Sequence, residues 1–121
     1  MHWGHAVSTD MVHWRDMPVA LAPDAVWDAG GCYSGSAVDD DGRLVLMYTG
    51  HTDTVETQNI AVSDDGVTFA KIPGNPVIPS PPAGNSIDFR DPKVWRHDGR
   101  WYVVLGGSDT SNDARALIYR S

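Results

Sequence analysis

The chain has 121 residues, 41% of them hydrophobic and 21% charged, with a formal net charge of −7. That length suits one small domain or part of a larger one, and the apolar share is enough for a core, which argues against wholesale disorder. The acidic balance argues against a general binder of phosphate backbones, and no apolar run reaches the length of a membrane span, so neither nucleic acid nor a membrane is expected as a partner. A neutral, hydroxyl-rich ligand is compatible with this balance.

Met1-His2-Trp3-Gly4-His5 has neither the basic start nor the apolar stretch of a secretory leader. Cys32 is the sole cysteine and forms no internal disulfide. Both features lead to the expectation of a reducing, cytoplasmic address. His2 and His5 would point to opposite faces of a strand, and no cysteine or carboxylate joins them at ligand spacing, so no metal site and no cofactor is expected.

Two segments repeat. Ala6-Val7-Ser8-Thr9-Asp10-Met11-Val12-His13-Trp14 matches Ala61-Val62-Ser63-Asp64-Asp65-Gly66-Val67-Thr68-Phe69, and the same offset of 55 brings Pro18 onto Pro73. Asp41-Gly42-Arg43 with the apolar run after it matches Asp98-Gly99-Arg100 and its run, at an offset of 57. Asp-Gly between apolar runs predicts a two-residue hairpin, because a type I′ turn needs positive φ at both central positions. The runs after these turns are apolar at consecutive positions, which predicts strands buried on both faces. Most of the five tryptophans are expected to pack in cores.

A four-stranded unit recurring at this spacing is what a β-propeller blade requires. The fold class read from the sequence is all-β, part of a propeller, with about two and a half blades present. Residues 1–19 end one blade, 32–72 form a second and 90–121 begin a third. Since such repeats bury their cores by stacking, the chain is expected to be a piece of a larger propeller. Pro73 to Ile87, rich in proline, glycine and serine, reads as an extended crossing that delivers the chain to Arg90.

Two stretches carry candidate chemistry. In Gly30-Gly31-Cys32-Tyr33-Ser34-Gly35-Ser36, glycines allow close backbone approach, Tyr33 offers an aromatic wall and Ser34 a hydroxyl, as sugar sites require. The same stretch also reads as a glycine-rich strand entrance. In Asp88-Phe89-Arg90-Asp91-Pro92-Lys93-Val94-Trp95, Pro92 disfavours the helical region at Asp91, so an extended Asp91 at a strand entrance is predicted. That carboxylate is aimed at a ligand, or else belongs to an ordinary surface pair with Arg90. Asp39-Asp40-Asp41-Gly42 lacks the later oxygen ligands of a calcium loop and reads as a turn. There is no Gly-x-Ser-x-Gly elbow, phosphate loop or dinucleotide fingerprint. The chemistry left is carboxylate chemistry on a glycoside, which needs at least two acids facing one bond. Only Asp91 is well placed for it.

Taken together, Trp3-Gly4-His5-Ala6-Val7-Ser8, Gly31-Cys32-Tyr33-Ser34-Gly35-Ser36-Ala37-Val38, Tyr48-Thr49-Gly50 and Phe89-Arg90-Asp91-Pro92-Lys93-Val94-Trp95 resemble glycoside hydrolase family 32 over essentially the whole chain. The resemblance implies a five-bladed β-propeller and retaining hydrolysis of a β-fructofuranosidic bond, with a fructoside or sucrose-type carbohydrate as substrate. It implies that Asp91 binds fructosyl hydroxyls and stabilises the transition state. It further implies that Arg90 holds the carboxylate cluster and that Tyr33 and Ser34 border the sugar; many relatives carry Phe where Tyr33 stands. The nucleophilic Asp and the acid/base Glu that the resemblance implies match no motif in this chain. Glu56, its only glutamate, does not match, so the chain alone is expected to be inactive. The rival readings are an arabinan- or xylan-cleaving propeller and a fructan-binding propeller without catalysis. No feature singles out an oligomeric state.

Overall fold

A computed structural model describes residues 1–121 as nine β-strands and one short 3-10 turn, Val26–Asp28. The first sheet pairs β1 (Trp3–Val7) with β2 (Arg15–Leu21). The second runs in the order β3 (Gly31–Asp40), β4 (Arg43–His51), β5 (Glu56–Ser63) and β6 (Ala70–Lys71). The third joins β7 (Asn85–His97), β8 (Arg100–Asp109) and β9 (Ala114–Arg120). All pairings are antiparallel.

Both Asp-Gly hairpins form as the turn chemistry requires. Asp40 pairs with Arg43 and His97 with Arg100, leaving two-residue loops. Asp41 and Gly42 have φ of 52° and 91°, and Asp98 and Gly99 of 48° and 75°. The other repeat is also one local structure used twice. Ser8 donates to Asp10 at 3.0 Å and Ser63 to Asp65 at 2.9 Å. Asp10 Oδ1 then accepts the N–H groups of Val12 and His13, as Asp65 Oδ1 accepts those of Val67 and Thr68. Each carboxylate thus closes a turn by replacing backbone acceptors.

The strand β4 is buried on both faces, because it is sandwiched between neighbouring sheets. Leu46 and Tyr48 join Leu21, Cys32 and Ala61 in one core, with Trp3 and Phe69 packed against it. Met47 points the other way and joins Phe89, Val103 and Leu105 in a second core toward the third sheet. Each large apolar side chain so buried contributes about 1.5–3 kcal/mol.

Two expectations change. Of the five tryptophans only Trp3 packs against either core, while Trp27, Trp95 and Trp101 are half-buried outside them and Trp14 is 59% exposed. The crossing after Pro73 ends earlier than its composition suggests, since β7 already begins at Asn85, opposite Asp109. Part of that crossing is tied to the second sheet. The Asn75 amide side chain donates to Ile60 O and accepts from Ile60 N, both at 2.8 Å, and Ile78 bridges to Gln58.

Hydrogen bonds, above all from the Thr68 and Val67 amides, hold the Asp65 carboxyl well below the usual carboxylate range. A depressed folded value contributes stability that is present above the unfolded pKa of about 3.9 and is lost as pH falls. Asp65→Ala in the intact protein should therefore lower the thermal unfolding temperature at pH 7. That deficit should narrow in scans at progressively more acidic pH below about 4.

Candidate active site

The site is built where β7 meets the second sheet. β7 is an edge strand, so every other backbone N–H and C=O along it faces away from β8 and needs a partner. Side chains of the second sheet supply those partners. Glu56 Oε2 accepts the Phe89 N–H at 2.7 Å, and Gln58 Nε2 donates to Phe89 O at 2.6 Å. Thr49 Oγ1 accepts the Asp91 N–H at 3.1 Å and donates to Gln58 Oε1 at 2.9 Å. Ser36 Oγ accepts the Val94 N–H at 2.9 Å. Thr49, Glu56 and Gln58 are completely buried, so these bonds act where unpaired groups would be costly.

Asp91 does not have the extended backbone that its neighbour Pro92 suggests. Its φ is 61°, inside a register shift between Arg90 and Lys93 in the body of β7. The physical reason is tertiary. The bulge inserts an extra residue, the Thr49 hydroxyl holds the Asp91 amide, and Pro92 is pinned in the interior. Aspartate tolerates left-handed φ better than most residues, and a strained backbone of this kind is a mark of functional sites. The outcome is an exposed Asp91 side chain that makes no hydrogen bond within the chain.

Arg90 is turned away from the Asp91 carboxylate. Its Nε donates to Glu56 Oε2 at 3.0 Å and its Nη2 to Asp88 Oδ1. The guanidinium therefore orients the strand rather than pairing with its neighbour.

Tyr33 and Ser34 lie on the adjacent edge. Tyr33 is opposite Thr49 in the β3–β4 ladder, which puts it one residue across from the hydroxyl that holds Asp91. Ser34 sits in a second register shift, between Tyr33 and Gly35, and is exposed. The Trp3 indole N–H donates to Tyr33 O at 2.9 Å, and the Tyr33 ring stacks on His51 with centroids 4.3 Å apart. Asp91, next to Arg90, and Ser34, next to Tyr33, thus each lie on a bulge, and the two strands are linked through Thr49, which holds the Asp91 amide and is the ladder partner of Tyr33. A cleft of about 490 Å³ between the second and third sheets, lined by Met47, Ile60, Val94 and Tyr119 among others, contains none of these four residues.

Residue-by-residue reading missed the buried polar side chains. Glu-Thr-Gln-Asn at 56–59 looks like a solvent-facing stretch, yet all four are buried. The available signal was the unusual sequence of four polar residues leading directly into the apolar Ile60-Ala61-Val62.

The family model for the glycosyl hydrolases family 32 N-terminal domain matches residues 1–121. The chain belongs to that family. It is 50% identical to a raffinose invertase and 49% identical to a sucrose-6-phosphate hydrolase, both of Escherichia coli, over 99% of its length. It covers 26% of each of these relatives. A solved structure of a Bombyx mori family 32 β-fructofuranosidase mutant in complex with sucrose superposes with a TM-score of 0.87 at 46% identity, over 100% of this chain and 26% of that one. The sucrose-6-phosphate hydrolase from Lactobacillus gasseri superposes with a TM-score of 0.89 at 39% identity, over 99% of this chain and 25% of that one. The fold of this family 32 chain is accordingly all-β and part of a β-propeller.

Two measurements test the family 32 site as described. Gln58→Leu leaves the Phe89 carbonyl without a partner and should destabilise the intact protein by about 1–3 kcal/mol in denaturant unfolding. The Cys32 thiol is pushed up to about 12, first by burial and then by the Asp28 charge. It should resist thiol reagents at pH 8 in the folded protein and react once the protein is unfolded.

Proposed function

We propose that the protein is a β-fructofuranosidase that hydrolyses the β-fructofuranosidic bond of sucrose, sucrose-6-phosphate or a fructan with retention of configuration. Within it this chain supplies the wall that binds the fructosyl unit. The observation that carries the reading is Asp91, exposed and unpaired on a strained bulge of β7 whose amide is held by Thr49, the ladder partner of Tyr33. The bond class is supported by the relatives, whose names are those of invertases, sucrose-6-phosphate hydrolases and a fructan exohydrolase.

The chemistry assigned to each residue follows from its setting. Glycoside cleavage passes through an oxocarbenium-like state in which positive charge grows on the sugar ring. Asp91 accepts hydrogen bonds from fructosyl hydroxyls, and those bonds strengthen as that charge develops. Tyr33 presents a ring face to the sugar and Ser34 a hydroxyl. Arg90, anchored on Glu56 and Asp88, keeps the bulge from swinging.

Bond breaking itself needs two further carboxyl groups. Glu56 is unsuited to either role, since it is fully buried and both its oxygens already accept hydrogen bonds. The nucleophile and the acid/base are assigned to parts of the protein outside this chain, whose span of about a quarter of its relatives leaves room for them. A five-bladed propeller and a cytoplasmic address belong to the same proposal.

Asp91→Asn preserves the shape of the side chain and removes its charge. In the intact protein it should lower kcat on sucrose by about 10²–10³-fold while changing KM far less. An unchanged kcat would overturn the role given to Asp91. Absence of fructose release by the wild-type protein from sucrose, sucrose-6-phosphate and inulin alike would overturn the activity.

A further inference from the structure

Glu56 is fully buried, and its two oxygens face two different parts of the site. Oε2 accepts the Phe89 N–H at 2.7 Å and the Arg90 Nε–H at 3.0 Å. Oε1 lies 3.2 Å from His51 Nδ1. A carboxylate only accepts, so Nδ1 carries the hydrogen of that bond. The His51 ring in turn lies flat against Tyr33, with an interplanar angle of 7°. One carboxylate therefore sets the backbone that enters the Asp91 bulge and, through His51, the plane of the aromatic wall.

We propose that Glu56 is a positioning residue that fixes Asp91 and Tyr33 relative to each other. The inference rests on the fructosidase reading above and deepens it. The geometry explains why a charge is kept in the interior. Phe89 N–H and Arg90 Nε–H converge on one oxygen, and a neutral amide oxygen holds two donors less firmly than a charged one. A glutamine has one oxygen for two sites. Its NH₂ group meets two donors if it faces Phe89 and Arg90, and if it faces His51 the ring must move its proton to Nε2 so that Nδ1 accepts.

Positional error of about 1 Å at a reacting centre costs on the order of 10²-fold in rate. The Oε2 branch leads to the residue assigned to the transition state, so its loss falls on kcat. The Oε1 branch leads to the aromatic wall, which contacts substrate in ground and transition states alike, so its loss falls on KM.

A double-mutant cycle in the intact protein separates this role from a purely structural one. Sucrose hydrolysis is measured for the wild type, Glu56→Gln, Asp91→Asn and the combination. Glu56→Gln should lower kcat by about 10–100-fold in the wild-type background and by less than about threefold in the Asp91→Asn background. Equal losses in both backgrounds, or no loss in either, would overturn the proposal. His51→Leu serves as a second variant that leaves the buried charge and Arg90 in place. It should raise KM by about 3–10-fold with kcat nearly unchanged. A fall in kcat with KM constant would overturn the assignment of the two branches. Should Glu56→Gln not fold, Glu56→Asp in the same cycle must show the same non-additive loss of kcat, and additivity there overturns the proposal equally. Failure of the wild type to release fructose rejects the fructosidase reading instead, so the two failures are distinguishable.

Discussion

The constraint on which the site depends is the unpaired edge of β7. An edge strand carries backbone donors and acceptors that no ladder satisfies, and in the interior each must find a partner. Here the partners are side chains of the preceding sheet: Glu56 and Gln58 for Phe89, Thr49 for Asp91, and Ser36 for Val94. A backbone ladder would have imposed a regular register. Side-chain partners impose none, so the strand is free to bulge at Asp91 while Phe89 and Val94 on either side remain held. The irregularity that exposes the carboxylate is therefore a consequence of how the edge is satisfied.

The device recurs one sheet earlier, where β3 is the edge. The Trp3 indole takes the Tyr33 carbonyl, and the Met1 carbonyl takes the Cys32 amide. Immediately after these bonds comes the second register shift, at Ser34. In both sheets the edge strand is stitched to its predecessor and then bulges, and in both the bulge presents a polar residue at the rim. Bulges re-aim side chains at such positions, and the repeat places two of them around one site. Buried polar bonds of this kind demand complete satisfaction, which is why Thr49, Gln58 and Glu56 serve two or more partners each.

The features visible in the sequence were those whose causes are local. Asp41-Gly42 and Asp98-Gly99 specify their turns through their own φ preferences, and Ser63 to Thr68 closes on itself within six residues. The double burial of β4 was legible because apolar residues run consecutively through Leu44 to Met47. The backbone of Asp91 was not, since the rule for residues before proline describes an isolated dipeptide. Here the tertiary hold of Thr49 and the buried Pro92 overrides it. The start of β7 was missed for a related reason. Ser86 and Asp88 look like loop residues, yet Ser86 is secured by a 2.7 Å bond between its hydroxyl and that of Ser108, on a strand that comes later in the chain.

Glu56 shows most clearly what a linear reading lacks. Its burial is intelligible only through Phe89 and Arg90, 33 and 34 residues further on. Glu56 is buried but its partner Arg90 is part-exposed, and solvent around the guanidinium weakens such a pair, while a well-packed apolar replacement is often neutral. Stability alone therefore gives no reason for a charged pair at this point. Apolar side chains would fill the space, but they would leave the Phe89 amide unpaired and let the bulge choose among several conformations. A carboxylate that must satisfy Phe89, Arg90 and His51 at once permits only one. The interior charge is thus better understood as a device for specifying geometry than as a source of folding energy, and the geometry it specifies is that of the rim carrying Asp91 and Tyr33.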